Sequence, residues 1–305
     1  MRIFENSNFG FIQKRKSGYI FSGILLLASL VSFAINGLEL GIDFKGGREF
    51  VVETSEAMDV TAVRSALSDV LSSDPEVKSY QIEGAFGMLV RTVGDEDINV
   101  VRDQIIDGIK AAFPDSDPVI EKTYDVSARF ARDLERGAIY SIIGSLLVIF
   151  VYILIRFEWR FGVGAVAALF HDVIITLGVF SVFQGKLGFS LQIDQTIIAA
   201  FLTIVGYSLN DTVVVFDRIR EYTGLFKSES YDSILNRSIN NTLSRTIITS
   251  GTTLLVVAIL FIFGGEVLRG FAFALLVGIG IGTYSSIFVA SPIVLELRNR
   301  AATKK

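Results

Sequence analysis

Two apolar stretches of this chain hold residues that can exchange a proton. "VGYSLNDTVVVFDRIRE" (205–221) sets Asn210 beside Asp211 in a hydrophobic run that starts near Ile197. "ALFHDVIITLG" (168–178) carries His171, the chain's one histidine, next to Asp172. An ionised carboxylate in hydrocarbon is costly, so each acid needs a counter-charge, hydrogen bonds or a proton. Thr203, Tyr207, Asn210 and Asp211 recur at i, i+4, i+7 and i+8, which puts them on one helix face. Arg245, Thr249, Thr252 and Thr253 repeat that spacing. The economical geometry is stripe facing stripe, with Arg245 neutralising or polarising Asp211. An imidazole and carboxylates at such depth can relay protons. The bland alternative is satisfied polar pairing that merely holds helices together.

The positioning elements are membrane spans. Of 305 residues, 51% are hydrophobic, and mean hydropathy is +0.53. Six segments reach spanning length: Gly18–Ile35, Gly137–Ile155, Phe161–Phe183, Ile193–Phe216, Thr246–Gly265 and Gly270–Leu295. A cleavable signal peptide is the other reading of the first, but no small-x-small site follows it and five further spans do. At 1.5 Å per residue, His171 and Asp172 lie about 15 Å from the basic end of their span and Asp211 about 9 Å from that of its own. Asp217 and Arg218 sit at the span's edge, where snorkelling explains them. Ala274, Gly278 and Gly282, four apart, read as helix packing.

Lys and Arg set the orientation. Arg2, Lys14, Arg15, Lys16, Arg156, Arg160, Arg218, Arg220, Lys227, Arg237, Arg245, Arg298, Arg300, Lys304 and Lys305 fall on one side, and the opposite short loops carry Lys186 and Arg269. Both termini are therefore expected in the cytoplasm. The layout is a cytoplasmic N-terminus (1–17), a first span (18–36), an extracytoplasmic domain (37–136), a five-helix remainder (137–297) and a basic cytoplasmic tail (298–305).

The insert 37–136 holds 21 acidic and 11 basic residues, which argues against nucleic acid as a partner. "REFVVET", "KSYQIEG", "GMLVRTV" and "VIEKTYDV" read as strands, with "VTAVRSALSDVL" and "INVVRDQIIDGIKAAF" as helices. The order βαββαβ is the α+β, ferredoxin-like pattern, here expected as a docking module. It follows "GLELGIDFKGGREF", where Gly41, Gly46 and Gly47 permit tight turns and Asp43 and Lys45 flank Phe44: a structured linker. With no cysteine and one tryptophan, disulfides, thiolate metal sites and thiol nucleophiles are excluded. No nucleotide-binding loop, triad or metal cluster is visible, so no enzymatic activity, metal or cofactor is expected.

Four motifs in order, "GIDFKGG", "HD", "GYSLNDTVVVFDRIRE" and "SRTIITSGTT", resemble the SecF family, the smaller membrane subunit of the SecDF protein-export complex. The resemblance covers nearly the whole chain. It implies an α-helical membrane protein of the resistance-nodulation-division (RND) superfamily, six transmembrane helices forming half of a twelve-span unit with SecD. It also implies the bacterial cytoplasmic (inner) membrane, the SecYEG channel and YajC as neighbours, and unfolded preproteins as substrate. Use of the proton-motive force for late steps of export follows from the same likeness, with H⁺ as coupling ion. Asp211 and Arg245 match the family's proton-path residues, and His171 and Asp172 match its motif. Two other classes stay open: a small-molecule or lipid exporter subunit, and a structural assembly subunit with no ion path.

Overall fold

The computed structural model describes residues 7–82, 85–94, 96–187 and 189–303. Helix α1 (Arg15–Ile35) leads through a short α2 (Ile42–Lys45) into β1 (Gly47–Thr54), α3 (Val60–Ser68), β2 (Glu76–Ile82), β3 (Ala85–Thr92), α4 (Ile98–Ala112) and β4 (Val119–Val126). Then come α5 (Ala128–Arg156), α6 (Trp159–Phe183), α7 (Gln195–Leu225), α8 (Tyr231–Phe263), α9 (Gly265–Ser285), a π-helical turn (Ser286–Ala290) and α10 (Ser291–Thr303). Six helical segments are long and apolar enough to cross a membrane, the last running from α9 through the π turn into α10.

The strand order is β2-β3-β1-β4, every neighbour antiparallel. β3 thus lies between β1 and β2, the split βαβ arrangement anticipated above. Asp59 and Asp97 cap α3 and α4, each accepting a backbone N–H of the first turn. Those helices cover one sheet face with Val63, Leu67, Val101, Ile105 and Ile109, against Phe50, Val52, Val77 and Val90. The result is a separate core, here called the head.

Several elements run longer than the apolar runs suggest. α5 starts at Ala128, nine residues before Gly137, because Ser127 caps it and the charged turns that follow are good helix formers. The loop foreseen after Phe216 is mostly helix: α7 continues to Leu225 and α8 begins at Tyr231. Charged residues end an apolar run without ending a helix; Arg218 bonds Glu221 at 2.9 Å, and Asp217 accepts from Arg156 at 2.7 Å. The end of the bundle holding Arg15, Arg156, Leu225 and Tyr231 is the tail end.

The GG stretch is built as a socket. Gly46 and Gly47 take φ of 76° and 150°, and a Cβ on Gly47 would fall 2.3 Å from the Thr92 carbonyl oxygen. Gly41 N–H donates to Ile193 O at 2.9 Å, and the Asp43 carboxylate accepts from Gln195 N–H at 2.9 Å. Phe44 packs with the apolar residues around the start of α7.

Candidate functional site

Two apolar clusters fill the bundle. One, toward the tail, includes Phe161, Ala168, Phe216, Leu243 and Ala290; the other, toward the head, includes Phe180, Ile197, Phe201, Ile204 and Ile279. Between them runs a buried polar layer: His171 and Asp172 on α6, Ser208 and Asp211 on α7, Ser250 on α8 and Ser285 on α9. Small residues on α9 let the helices meet there. A Cβ on Gly278 would lie 2.3 Å from Ile204, and one on Gly282 would lie 2.9 Å from Ser208.

Asp172 is 1% exposed. Its Oδ2 accepts from Ser208 at 2.6 Å and from Ser285 at 2.8 Å, and its Oδ1 lies 2.9 Å from His171 Nδ1. Asp211 is 3% exposed and accepts from Ser250 at 3.0 Å; Thr283 on α9 donates to Ser250 at 2.8 Å. The two acids therefore share α7 and α9, with Ser208 and Asp211 one helical turn apart.

The stripe-to-stripe pairing is corrected in one respect. Tyr207 does donate to Thr253 at 3.1 Å, so α7 and α8 meet as foreseen. Arg245, however, is exposed and makes no direct ion pair among the described residues; its charge acts on Asp211 through space, as the polarising role foreseen requires. It lines a 240 Å³ cleft with Val213, Asp217, Asn241 and Thr242, open toward the tail end. Thr203, Asn210 and Thr252 are exposed too, Thr249 is partly so, and the hydroxyls of all three threonines bond back to their own helix. Neighbouring helical residues point about 100° apart, so Asn210 and Asp211 face different ways. The inward stripe on α8 is Ser238, Thr242, Thr246 and Ser250, all buried. Four small hydroxyls at every fourth position were the signal that could have found it.

At the head end, Asp194 caps α7 through Oδ1, which accepts from Ile197 N–H at 2.8 Å. Its Oδ2 lies 3.6 Å from Lys78 Nζ and 3.8 Å from Arg91 Nη1. Lys78 also meets Glu76 at 2.8 Å, Arg91 meets Glu49 at 2.5 Å and Glu76 at 3.4 Å, and Ser190 donates to Glu76 at 2.7 Å. Burial raises the Glu76 carboxyl, but Lys78 and Arg91 outweigh it and hold it below its ordinary 4.5. Burial likewise acts against the charge on Arg91, and Glu76, Glu49 and Asp194 reverse that and raise it. The head is thus joined by buried ion pairs to the helix that carries Asp211. Sequence reading missed this junction, because its partners lie far apart in the chain.

Residues 108–300 match the family described as protein export membrane protein SecD/SecF, C-terminal, and residues 31–58 match the SecD/SecF GG motif. A protein translocase subunit SecF from Rhodothermus marinus is 66% identical over 100% of this chain and 98% of its own. The chain belongs to the SecF family. SecF of Petrotoga mobilis is 40% identical, over 98% of this chain and 99% of its own. The crystal structure of SecDF from Thermus thermophilus, a translocon-associated membrane protein, superposes with a TM-score of 0.78 at 33% identity. That match covers 98% of this chain and 40% of the SecDF chain, so the chain spans about two fifths of that protein. The polar layer is accordingly a feature of a multi-pass SecF-type membrane protein.

Proposed function

We propose that this chain works with a SecD-type subunit in the bacterial inner membrane, using the proton-motive force to drive late steps of preprotein translocation. The tail end, with both termini and most basic residues, faces the cytoplasm, and the head lies outside. SecYEG and YajC are its neighbours, unfolded preproteins its substrate and H⁺ its coupling ion; it needs no cofactor and catalyses no covalent reaction.

The observation that carries this reading is Asp211, a buried carboxylate held by a neutral hydroxyl with no counter-charge in contact. Such a group can be loaded and unloaded with a proton at little structural cost. Ionised, it attracts Arg245 from the tail-end cleft; protonated, it does not. The change alters how α7 and α8 pack. One charge crossing the membrane potential supplies ~2.3 kcal/mol per 100 mV. That biases a bundle with two nearly balanced packings and unfolds nothing. α7 transmits the bias, because Asp194 at its head end is about 26 Å away along the same helix and is ion-paired to the sheet. The exposed stripe of Thr203, Asn210, Arg245 and Thr252 fits the seam covered by the SecD-type half, since polar groups at membrane depth face protein or a cavity.

In proteoliposomes with the partner and the channel, Asp211→Asn is expected to abolish proton-gradient-dependent export while the complex still assembles. Normal export by that variant would refute the reading, and equal export with and without a gradient in the parent would favour a purely structural subunit.

A further inference from the structure

Asp172 heads a hydrogen-bond chain that leaves the polar layer toward the tail end. His171 Nδ1 meets Asp172 Oδ1 at 2.9 Å, and its Nε2 meets Ser22 Oγ on α1 at 3.0 Å. Ser22 Oγ lies 3.1 Å from the Tyr284 hydroxyl on α9, and Tyr284 donates to the carbonyl oxygen of Gly18 at 2.8 Å. Gly18 is near the start of α1, at the tail end. The rings of His171 and Tyr284 stack, with centroids 6.2 Å apart.

Proton counting fixes the direction of three links. A carbonyl only accepts, so Tyr284 gives its one hydrogen to Gly18. Ser22 must then donate to Tyr284, and His171 must donate to Ser22 from Nε2. The remaining contact, Nδ1 to Oδ1, closes only if it too holds a proton, on the imidazole or on the carboxyl. Ser208 and Ser285 supply hydrogens to the other oxygen of Asp172. The facing titratable groups are Asp172 and His171 on α6 and Tyr284 on α9, with Asp211 a turn beyond Ser208 on α7; α1 brings a hydroxyl.

We propose that His171, Ser22 and Tyr284 are a reversible proton wire between Asp172 and the tail end, reversing its hydrogen bonds each time the His171–Asp172 pair loses or gains a proton. On release, the Nε2 hydrogen passes to Ser22, the Ser22 hydrogen to Tyr284, and the Tyr284 hydrogen to water at the tail end. Four mobile protons become three. The histidine is left as the Nδ1–H tautomer donating to ionised Asp172, Ser22 now donates to Nε2, and Tyr284 donates to Ser22. The Gly18 carbonyl loses its tyrosine, so the protonation state of α6 is reported at the end of α1. The wire takes its purpose from the proton-coupled reading above, but its wiring is independent of it.

His171 is the chain's one histidine, so nitrogen-15 histidine in the full chain, purified without a histidine tag and placed in a lipid bilayer, reports this ring alone. Solid-state spectra are expected to show Nε2 protonated in acid and bare in alkali, with Nδ1 carrying the proton in alkali. A neutral ring that keeps its proton on Nε2, or an Nε2 bare throughout, overturns the wire. Tyr284→Phe removes the acceptor of Ser22 and frees that hydroxyl for Nε2. It should shift the tautomer ratio about fivefold toward bare Nε2, the worth of one net hydrogen bond; an unchanged ratio also overturns the proposal. Ser22→Thr should keep the parent titration and Ser22→Ala should not. Asp211→Asn should leave these spectra unchanged while removing proton-driven export, so normal export with a switching His171 would sink the functional reading and spare the wire.

Discussion

Buried charge appears in two places and is handled in opposite ways. At the head junction, Glu49, Glu76 and Asp194 are interleaved with Lys78 and Arg91, each acid within ion-pairing distance of at least one base. In the bundle, Asp211 rests on a hydroxyl, and Asp172 on two hydroxyls and an imidazole. A carboxylate among fixed cations keeps its charge, and removing one partner strands the rest. A carboxylate among neutral donors can take up a proton without stranding a neighbour. The first arrangement suits a joint and the second suits a switch, and α7 carries one at its start and the other near its middle.

The largest effect that could break this contrast is on stability. Arg91→Leu leaves Glu49 and Glu76 short of a counter-charge in a largely buried place and should cost about 3–5 kcal/mol, read by denaturant unfolding or by protease cleavage of the head. Asp211→Asn should cost under about 1.5 kcal/mol by the same measurement, because Ser250 can still donate to the amide oxygen. Similar losses for the two variants would erase the distinction between joint and switch.

A smaller effect separates the two regions by pH. A carboxylate held below its unfolded value adds stability above that value and loses it as pH falls through the folded one. Glu76 is depressed below 4.5, so its contribution is whole at neutral pH and disappears only in stronger acid. Protease sensitivity of the head junction should stay flat around neutrality and rise only as pH falls below 4.5. A junction that loosens near neutral pH would mean that it senses protons itself.

This contrast also marks what could be read from the chain. The spans, the βαββαβ head and the two acid-bearing helices follow from hydropathy and period, because lipid and pleat impose those patterns locally. Asp211 stood out for the same reason. Its partner did not: a stripe drawn through Thr203, Asn210 and Asp211 spans about 100° of helix surface, wide enough to contain both an inward and an outward face. Only packing separates them, by pressing Gly278 and Gly282 of α9 onto Ile204 and Ser208 and leaving Asn210 outside. The head junction was invisible because it joins Glu49, Glu76 and Arg91 to Asp194, across more than a hundred residues of chain.

The outward face provides the smallest test. Tyr207→Phe removes the bond to Thr253 and should cost about 0.6 kcal/mol, an ordinary value for an interhelical bond in a bilayer. Asn210→Leu should change the stability of the isolated chain by less than about 0.5 kcal/mol, because that side chain is exposed there. If the SecD-type half covers this seam, the same substitution weakens co-purification of the two subunits. A polar group that matters to the pair and not to the single chain belongs to the interface. Unchanged co-purification would place Asn210 on lipid, and the outward stripe would then need another explanation than a partner.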